Sequence, residues 1–158
     1  MINVGFTDIL LGALAVLMLT AAVTDLRRRK IPNWLVLTIG VMAPLFWWSL
    51  QLPIYPDVAL RAGTGLLVFL ALFGLFCVGG MGGGDVKLAT AIALWFPPQV
   101  TLLFLLVMSL AGAVVSTAAW VHHSKIMRRQ GRTVVPYGVA IAFAGLLILA
   151  QRYLNQFA

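Results

Sequence analysis

Two aspartates, Asp25 and Asp85, are the residues whose type and placement best suit chemistry in this sequence. Asp25 follows a long apolar run, and Asp85 follows a stretch rich in glycine. Two carboxyl groups that share a proton can activate a water molecule and protonate a leaving amine without a metal ion or a nucleophilic side chain. If the fold brings them together, the pair predicts hydrolysis of an amide bond.

Each of these features also has a simpler interpretation. Asp25 can be an interfacial charge that offsets the basic residues at 27–30, and Asp85 can be the N-cap of a helix. Lys87 can be a topology charge, although it can also tune Asp85 or contact a substrate. The glycines at 79–84 can form a flexible connector or a close-packing site, and beside a carboxylate they let a substrate backbone approach closely.

A catalytic pair needs one charged and one protonated carboxyl group, and the predicted helix ends offer a way to separate them. Asp85 lies at a predicted helix N-terminus, where the helix dipole favours the charged form. Asp25 lies at a predicted helix C-terminus, where the dipole disfavours it. We therefore expect Asp85 to carry the charge and Asp25 the shared proton, although the arginines at 27–29 oppose this assignment.

The elements that must position these residues are membrane helices. Hydrophobic residues make up 62% of the 158 residues and charged residues 9%, which is too little polar material to coat a water-facing surface. A helix needs about 20 apolar residues to cross a hydrocarbon core of roughly 30 Å. Apolar runs near this length recur along the chain, so the predicted class is an all-α membrane protein.

We predict about six transmembrane segments, separated by basic, glycine-rich and proline-containing breaks. Pro97 and Pro98 must divide the long stretch that begins at Asp85. The segments are Gly5 to Thr24, about Trp34 to Leu50, about Ala59 to Val78, Asp85 to Phe96, about Val100 to Val121, and about Thr133 to Tyr153. The fourth is too short to cross unaided, so the glycine loop before it is expected to be re-entrant and to line a wet cavity.

The basic residues predict an orientation. Most of the 11 lysines and arginines fall in three loops, which are cytosolic if the N-terminus lies outside. Arg61 and Arg152 lie towards the other side, near helix ends. This arrangement explains the basic charge without nucleic acid and places Asp25 and Asp85 on one membrane face. The single cysteine, Cys77, excludes an internal disulfide and a Cys-x-x-Cys site, and we expect neither a metal nor a cofactor.

Three strings in this order resemble the type IV prepilin peptidases, a family of membrane aspartic peptidases. Residues 82–88, GGGDVKL, match the Gly-x-Gly-Asp-x-Lys-Leu motif that contains Gly82, Gly84, Asp85 and Lys87. Residues 25–33, DLRRRKIPN, look like the first motif, which ends in Pro32 and Asn33. Residues 135–142, VPYGVAIA, resemble a C-terminal signature that includes Pro136 and Tyr137.

The resemblance implies a membrane-embedded aspartic endopeptidase with Asp25 and Asp85 as the catalytic pair. Gly82, Gly84, Lys87, Pro32, Asn33, Pro136 and Tyr137 would shape the site or contact the substrate. The substrates would be prepilins and pseudopilins, each with a short basic leader in the cytosol that is removed at the membrane boundary. Membrane lipids and a homo-oligomer are further expected partners.

The chain looks like the small form associated with Flp or tight-adherence pili, because it lacks the paired cysteines and N-terminal domain of larger members. We expect residues 1–158 to form a single transmembrane peptidase domain in the bacterial inner membrane, with N-methyltransferase activity doubtful. The alternative is a small transporter or a pilus or secretion assembly subunit that uses Asp85 as a buried charge.

Overall fold

The described part of the chain is built from α-helices. The computed structural model describes residues 4–126 and 137–156, and no β-strand occurs within these ranges. The helices are α1 (Val4–Arg28), α2 (Asn33–Ser49), α3 (Ala59–Cys77), α4 (Gly83–Ala93), α5 (Pro98–Ile126) and α6 (Tyr137–Gln156). A π-helical turn, Ile54–Val58, precedes α3. The predicted all-α class is confirmed.

Within the described residues, four stretches of helix are long and apolar enough to cross a membrane: Gly5–Arg28, Ile54–Cys77, Pro98–Thr117 and Tyr137–Leu154. Helix α2, with 17 residues, is also apolar but shorter. The outer faces carry large apolar side chains, such as Leu66, Leu67 and Leu70 of α3, which are more than half exposed. Such faces suit the hydrocarbon interior of a membrane, because lipid tails are as apolar as leucine side chains.

Helix α4 is the short element at the centre of the bundle. Its 11 residues give it a length of about 16 Å. It packs against α2, α3 and α6, and its side chains from Ala89 to Ala93 are buried except for the partly buried Thr90. The small alanines let the neighbouring backbones approach closely, so a helix too short to span the bilayer is enclosed by protein instead of lipid.

Side chains from other helices satisfy the backbone at the C-terminal end of α4. The prolines at 97 and 98 cannot continue the helix, so its last carbonyl groups need other donors. Trp47 donates its indole N–H to the Leu94 carbonyl over 2.9 Å, and Arg61 donates from Nη1 to the Trp95 carbonyl over 2.7 Å. These bonds fix α4 along its axis and thereby fix the position of Asp85 at its other end.

The glycine-rich turn between α3 and α4 has defined geometry. Gly79 has a φ of 75°, the left-handed conformation that glycine adopts without a steric penalty. Gly80 donates its N–H to the Leu75 carbonyl and Gly79 donates to the Phe76 carbonyl, each over 2.9 Å. This is a Schellman motif, which ends α3 and reverses the chain.

Helix α4 begins earlier than the sequence indicates. Gly82 is its N-cap and Gly83 its first residue, so Asp85 is the third residue and the expectation that it opens the helix is wrong. The Asp85 carboxyl group reaches back towards the Gly82 backbone, where an added Cβ would be 2.7 Å from Asp85 Oδ2. A side chain three residues into a helix stabilises the start of that helix in this way.

Candidate active site

Asp25 lies in the last turn of α1 and is buried, with 5% of its surface exposed. The helix ends just beyond it, because Arg29 adopts a left-handed φ of 50°. The backbone N–H of Arg29 still bonds to the Asp25 carbonyl over 2.8 Å. The chain therefore leaves the helix one turn after Asp25, whose carboxyl group is buried in the bundle.

Asp25 and Asp85 line the same cavity, which has a volume of about 330 Å³. They are close enough for the charge of one to act on the other. The cavity lies between the C-terminal end of α1, the start of α2 and the N-terminal end of α4. Its lining residues are Asp25, Arg29, Lys30, Ile31, Asn33, Gly82, Gly83, Gly84, Asp85 and Lys87. The fold thus brings together two carboxyl groups that the sequence separates by two long helices.

The start of α6 closes one side of Asp25. Gly138 and Val139 direct their backbone N–H groups at the Asp25 carboxyl group. The Gly138 backbone lies so close that an added Cβ would be 2.8 Å from Asp25 Oδ2 and 2.9 Å from Cγ. Among the described residues, this Oδ2 atom is buried and has no hydrogen-bond partner of good geometry. A buried acceptor without a well-formed hydrogen bond is unusual in a folded protein.

The contact with α6 adds a second helix dipole at Asp25. Asp85 lies in the first turn of α4, as expected for a position that favours negative charge. Asp25 lies at the C-terminal end of α1, but it also faces the N-terminal end of α6, whose dipole has the opposite effect. The two helix ends oppose each other at Asp25, so the expectation that Asp25 holds the shared proton stays a prediction.

The structure brings most of the predicted site residues to the cavity. Gly82, Gly84, Lys87 and Asn33 line it together with the two aspartates. Pro32 does not line it but is the N-cap residue of α2.

Tyr137, one of the two residues predicted from the C-terminal signature, does not line the cavity. The ring of Tyr137 packs against Gly112 of α5, where an added Cβ would be 2.5 Å from Cζ. Tyr137 thus fixes the start of α6 against α5 instead of facing the carboxyl groups. Pro136 lies outside the described residues.

The residues at the site that were not predicted to shape it include Arg29, Ile31 and Gly138. Ile31 packs against the start of α4 and the start of α6, because added Cβ atoms at Gly84 and Gly138 would be 3.5 Å and 3.0 Å from its side chain. Gly138 belongs to the C-terminal string, and a glycine at the start of an apolar helix is the signal that could have identified it. Its contact with Asp25, more than 100 residues earlier, has no local signature.

The cavity offers acid–base chemistry. It contains two carboxyl groups and, at its exposed rim, the cationic side chains of Arg29, Lys30 and Lys87. Within the described ranges, no group of three or more His, Cys, Asp or Glu side chains is arranged to hold a metal ion. Such a site can bind a water molecule, remove a proton from it and stabilise developing negative charge.

Curated proteins with similar sequences act on prepilins, according to their names. A prepilin leader peptidase/N-methyltransferase of Xanthomonas campestris pv. campestris is 31% identical over 155 residues, which cover 91% of this chain and 49% of that protein. A protein of the same name from Stutzerimonas stutzeri is 28% identical over 142 residues, 84% of this chain and 46% of its own length. Prepilin peptidase EppA of Methanococcus maripaludis is 30% identical over 144 residues, 87% of this chain and 39% of its own length.

This chain spans about half the length of the curated relatives it matches, or less. No solved structure matches it. The family model of the type IV leader peptidases matches residues 12–117, which is more than half of the chain and includes both aspartates. The chain is therefore a multi-pass membrane protein that belongs to the type IV leader peptidase family.

Proposed function

We propose that this protein is a membrane-embedded aspartic endopeptidase that removes the short basic leader from type IV prepilins of the Flp type. The observation that carries the proposal is the placement of Asp25 and Asp85 on one cavity at the ends of two helices. Family membership agrees with it. The names of two of the relatives described above also include N-methyltransferase, and we propose the peptidase reaction alone for this chain.

In the proposed reaction, the ionised carboxyl group takes a proton from a water molecule as the water oxygen attacks the scissile carbonyl carbon. The other carboxyl group donates its proton, and the C–N bond breaks to release a new amine and a new carboxylate. The paired carboxyl groups return to their starting protonation after the exchange. Cations at the rim, such as Lys87, stabilise the oxyanion and the product carboxylate.

The cleavage assay that tests this proposal uses the purified full chain in detergent with a synthetic prepilin. The peptide contains a basic leader followed by an apolar helix, and mass spectrometry locates the cut. We expect one cut at the boundary between leader and helix, and the same rate in the presence of a metal chelator. An intact substrate under conditions where the protein is folded would favour the alternative, a small transporter or assembly subunit with Asp85 as a buried charge.

We further propose that the N-terminus lies outside and that the cavity opens to the cytosol of a bacterial inner membrane, with the six helices acting as one domain. The cationic residues around Asp25 support this orientation, because basic loops are retained in the cytosol. The leader of a prepilin would then meet the carboxyl pair on the side of the membrane where it is synthesised.

Cysteine labelling measures the orientation directly. In a Cys77→Ser background, we expect a membrane-impermeant maleimide added to intact spheroplasts to label Ile54→Cys and to leave Arg28→Cys unlabelled. Ile54 is 83% exposed at the opposite end of the bundle, and Arg28 is exposed beside the cavity. Labelling of both variants after lysis is the control. Selective labelling of Arg28→Cys in intact spheroplasts would show that the topology is the reverse of the one proposed.

A further inference from the structure

A second cavity, of about 360 Å³, lies at the opposite end of α4 from the carboxyl pair. This volume is within the range of small-ligand sites in proteins. Its walls come from the link between α4 and α5, from the starts of α3 and α5, and from the end of α6. Two arginines, Arg61 and Arg152, line it together with apolar side chains that include Val100, Leu103 and Ile148. The proposed peptidase reaction uses none of these residues.

The two guanidinium groups are held in place by contacts that leave most of their donors free. Arg61 uses one N–H to bond to the Trp95 carbonyl over 2.7 Å. Arg152 lies over the Phe46 ring, 5.6 Å from its centroid. A guanidinium has five N–H donors and binds phosphate or carboxylate groups through two of them at once. Both arginines therefore have donors available for an anionic ligand.

The side chains that line the cavity carry a net positive charge. The positive charges of Arg61 and Arg152 repel each other, and the negative charge of Asp57 offsets part of the positive charge of Arg61. No carboxylate lines the cavity within the described residues, and the other aspartate at this end, Asp8, faces the hydroxyl of Tyr153. Two neighbouring cations beside apolar walls are costly in a membrane protein unless an anion accompanies them. The natural complement is a group with a negative charge.

The shape of the cavity indicates an anion that carries an apolar part. The wall formed by α5 continues onto the outer face of that helix, where Leu103 is 42% exposed. This face belongs to the span Pro98–Thr117, so we expect it to face lipid chains. A free phosphate ion would satisfy the arginines but not the apolar wall, whereas a phospholipid would satisfy both.

We infer that this cavity is a binding site for an anionic phospholipid, whose phosphate group lies between Arg61 and Arg152 and whose acyl chains follow α5. Basic pockets between membrane helices bind acidic lipid headgroups through the same combination of charge and apolar surface. The site is separated from the carboxyl pair by the length of α4, and it does not depend on the proposed peptidase activity.

Thermal unfolding of the purified full chain in zwitterionic detergent tests the inference. A ligand that binds the folded state raises the unfolding temperature. We expect phosphatidylglycerol to raise the unfolding temperature at a concentration at least about tenfold lower than phosphatidylcholine requires. Arg152→Gln should remove this preference. Arg152→Gln leaves the bond from Arg61 to Trp95 intact, so the variant is expected to fold.

Two controls separate the possible sources of an effect. Arg28→Gln removes the same charge at the other end of the bundle and should keep the preference for phosphatidylglycerol. Val100→Trp fills the apolar part of the cavity, leaves both arginines in place, and should weaken the effect of phosphatidylglycerol. The inference is overturned if the two lipids stabilise equally, if Arg152→Gln keeps the preference, or if inorganic phosphate alone reproduces the whole stabilisation.

Discussion

Asp25→Asn and Asp85→Asn should each lower the rate of leader cleavage by roughly 100- to 10,000-fold, the contribution of a positioned general acid or base. Asparagine is nearly isosteric with aspartate but can neither accept nor donate the proton in the reaction. The two substitutions should have similar effects, because groups that share a proton act as a unit and their contributions are not additive. The measurement is the initial rate of cleavage of the synthetic prepilin.

Asp8→Asn and Asp57→Asn are the matched controls for this experiment. They make the same chemical change at the opposite end of the bundle and should retain activity close to that of the unsubstituted protein. Thermal unfolding shows whether each variant is folded, which matters because the Asp85 carboxyl group also lies beside Gly82 at the start of α4. Processing that persists in a folded Asp85→Asn variant would end the proposal that the carboxyl pair is catalytic.

Gly138→Ala should reduce the cleavage rate by about 100-fold, although no reacting group is removed. The new Cβ would lie 2.8 Å from Asp25 Oδ2 and 3.0 Å from the Ile31 side chain, so either the carboxyl group or the start of α6 must move. A displacement near 1 Å at a catalytic group costs about this factor in rate. Helix propensity alone would predict that Gly138→Ala stabilises α6, because alanine is favoured over glycine in a helix by about 1 kcal/mol.

Gly40→Ala is the matched control for the Gly138 experiment. Gly40 lies within α2, and an added Cβ there would have no heavy atom within 4 Å. It should leave the cleavage rate unchanged and raise or preserve the unfolding temperature. If Gly138→Ala behaves in the same way, the close approach of α6 to Asp25 has no role in catalysis.

The elements of this fold could be predicted from local features of the sequence. Apolar runs gave the positions of the helices, and the prolines at 97 and 98 gave the break between α4 and α5, because proline removes a backbone donor whatever the tertiary context. The shared position of Asp25 and Asp85 followed from counting spans between them. These features depend on residues that are neighbours in the chain, so they are visible without a structure.

The contacts between distant segments could not be predicted in this way. Nothing near Gly138 indicates that it faces Asp25, and nothing near Arg61 indicates that it caps α4 and meets Arg152. Asp85 was expected at the first position of its helix, but the helix starts at Gly83, and the Asp85 carboxyl group lies beside Gly82. The Asp85 carboxyl group beside Gly82 is a contact that helix propensity does not include.

The shortness of α4 has an electrical consequence. The two cavities approach each other from opposite ends of this helix, so the insulating layer along the axis of the molecule is about 16 Å thick, roughly half that of the surrounding bilayer. The fully buried side chains of Leu88 and Ile92 lie within that layer. Besides carrying Asp85, α4 therefore places a layer of buried apolar side chains between the two cavities.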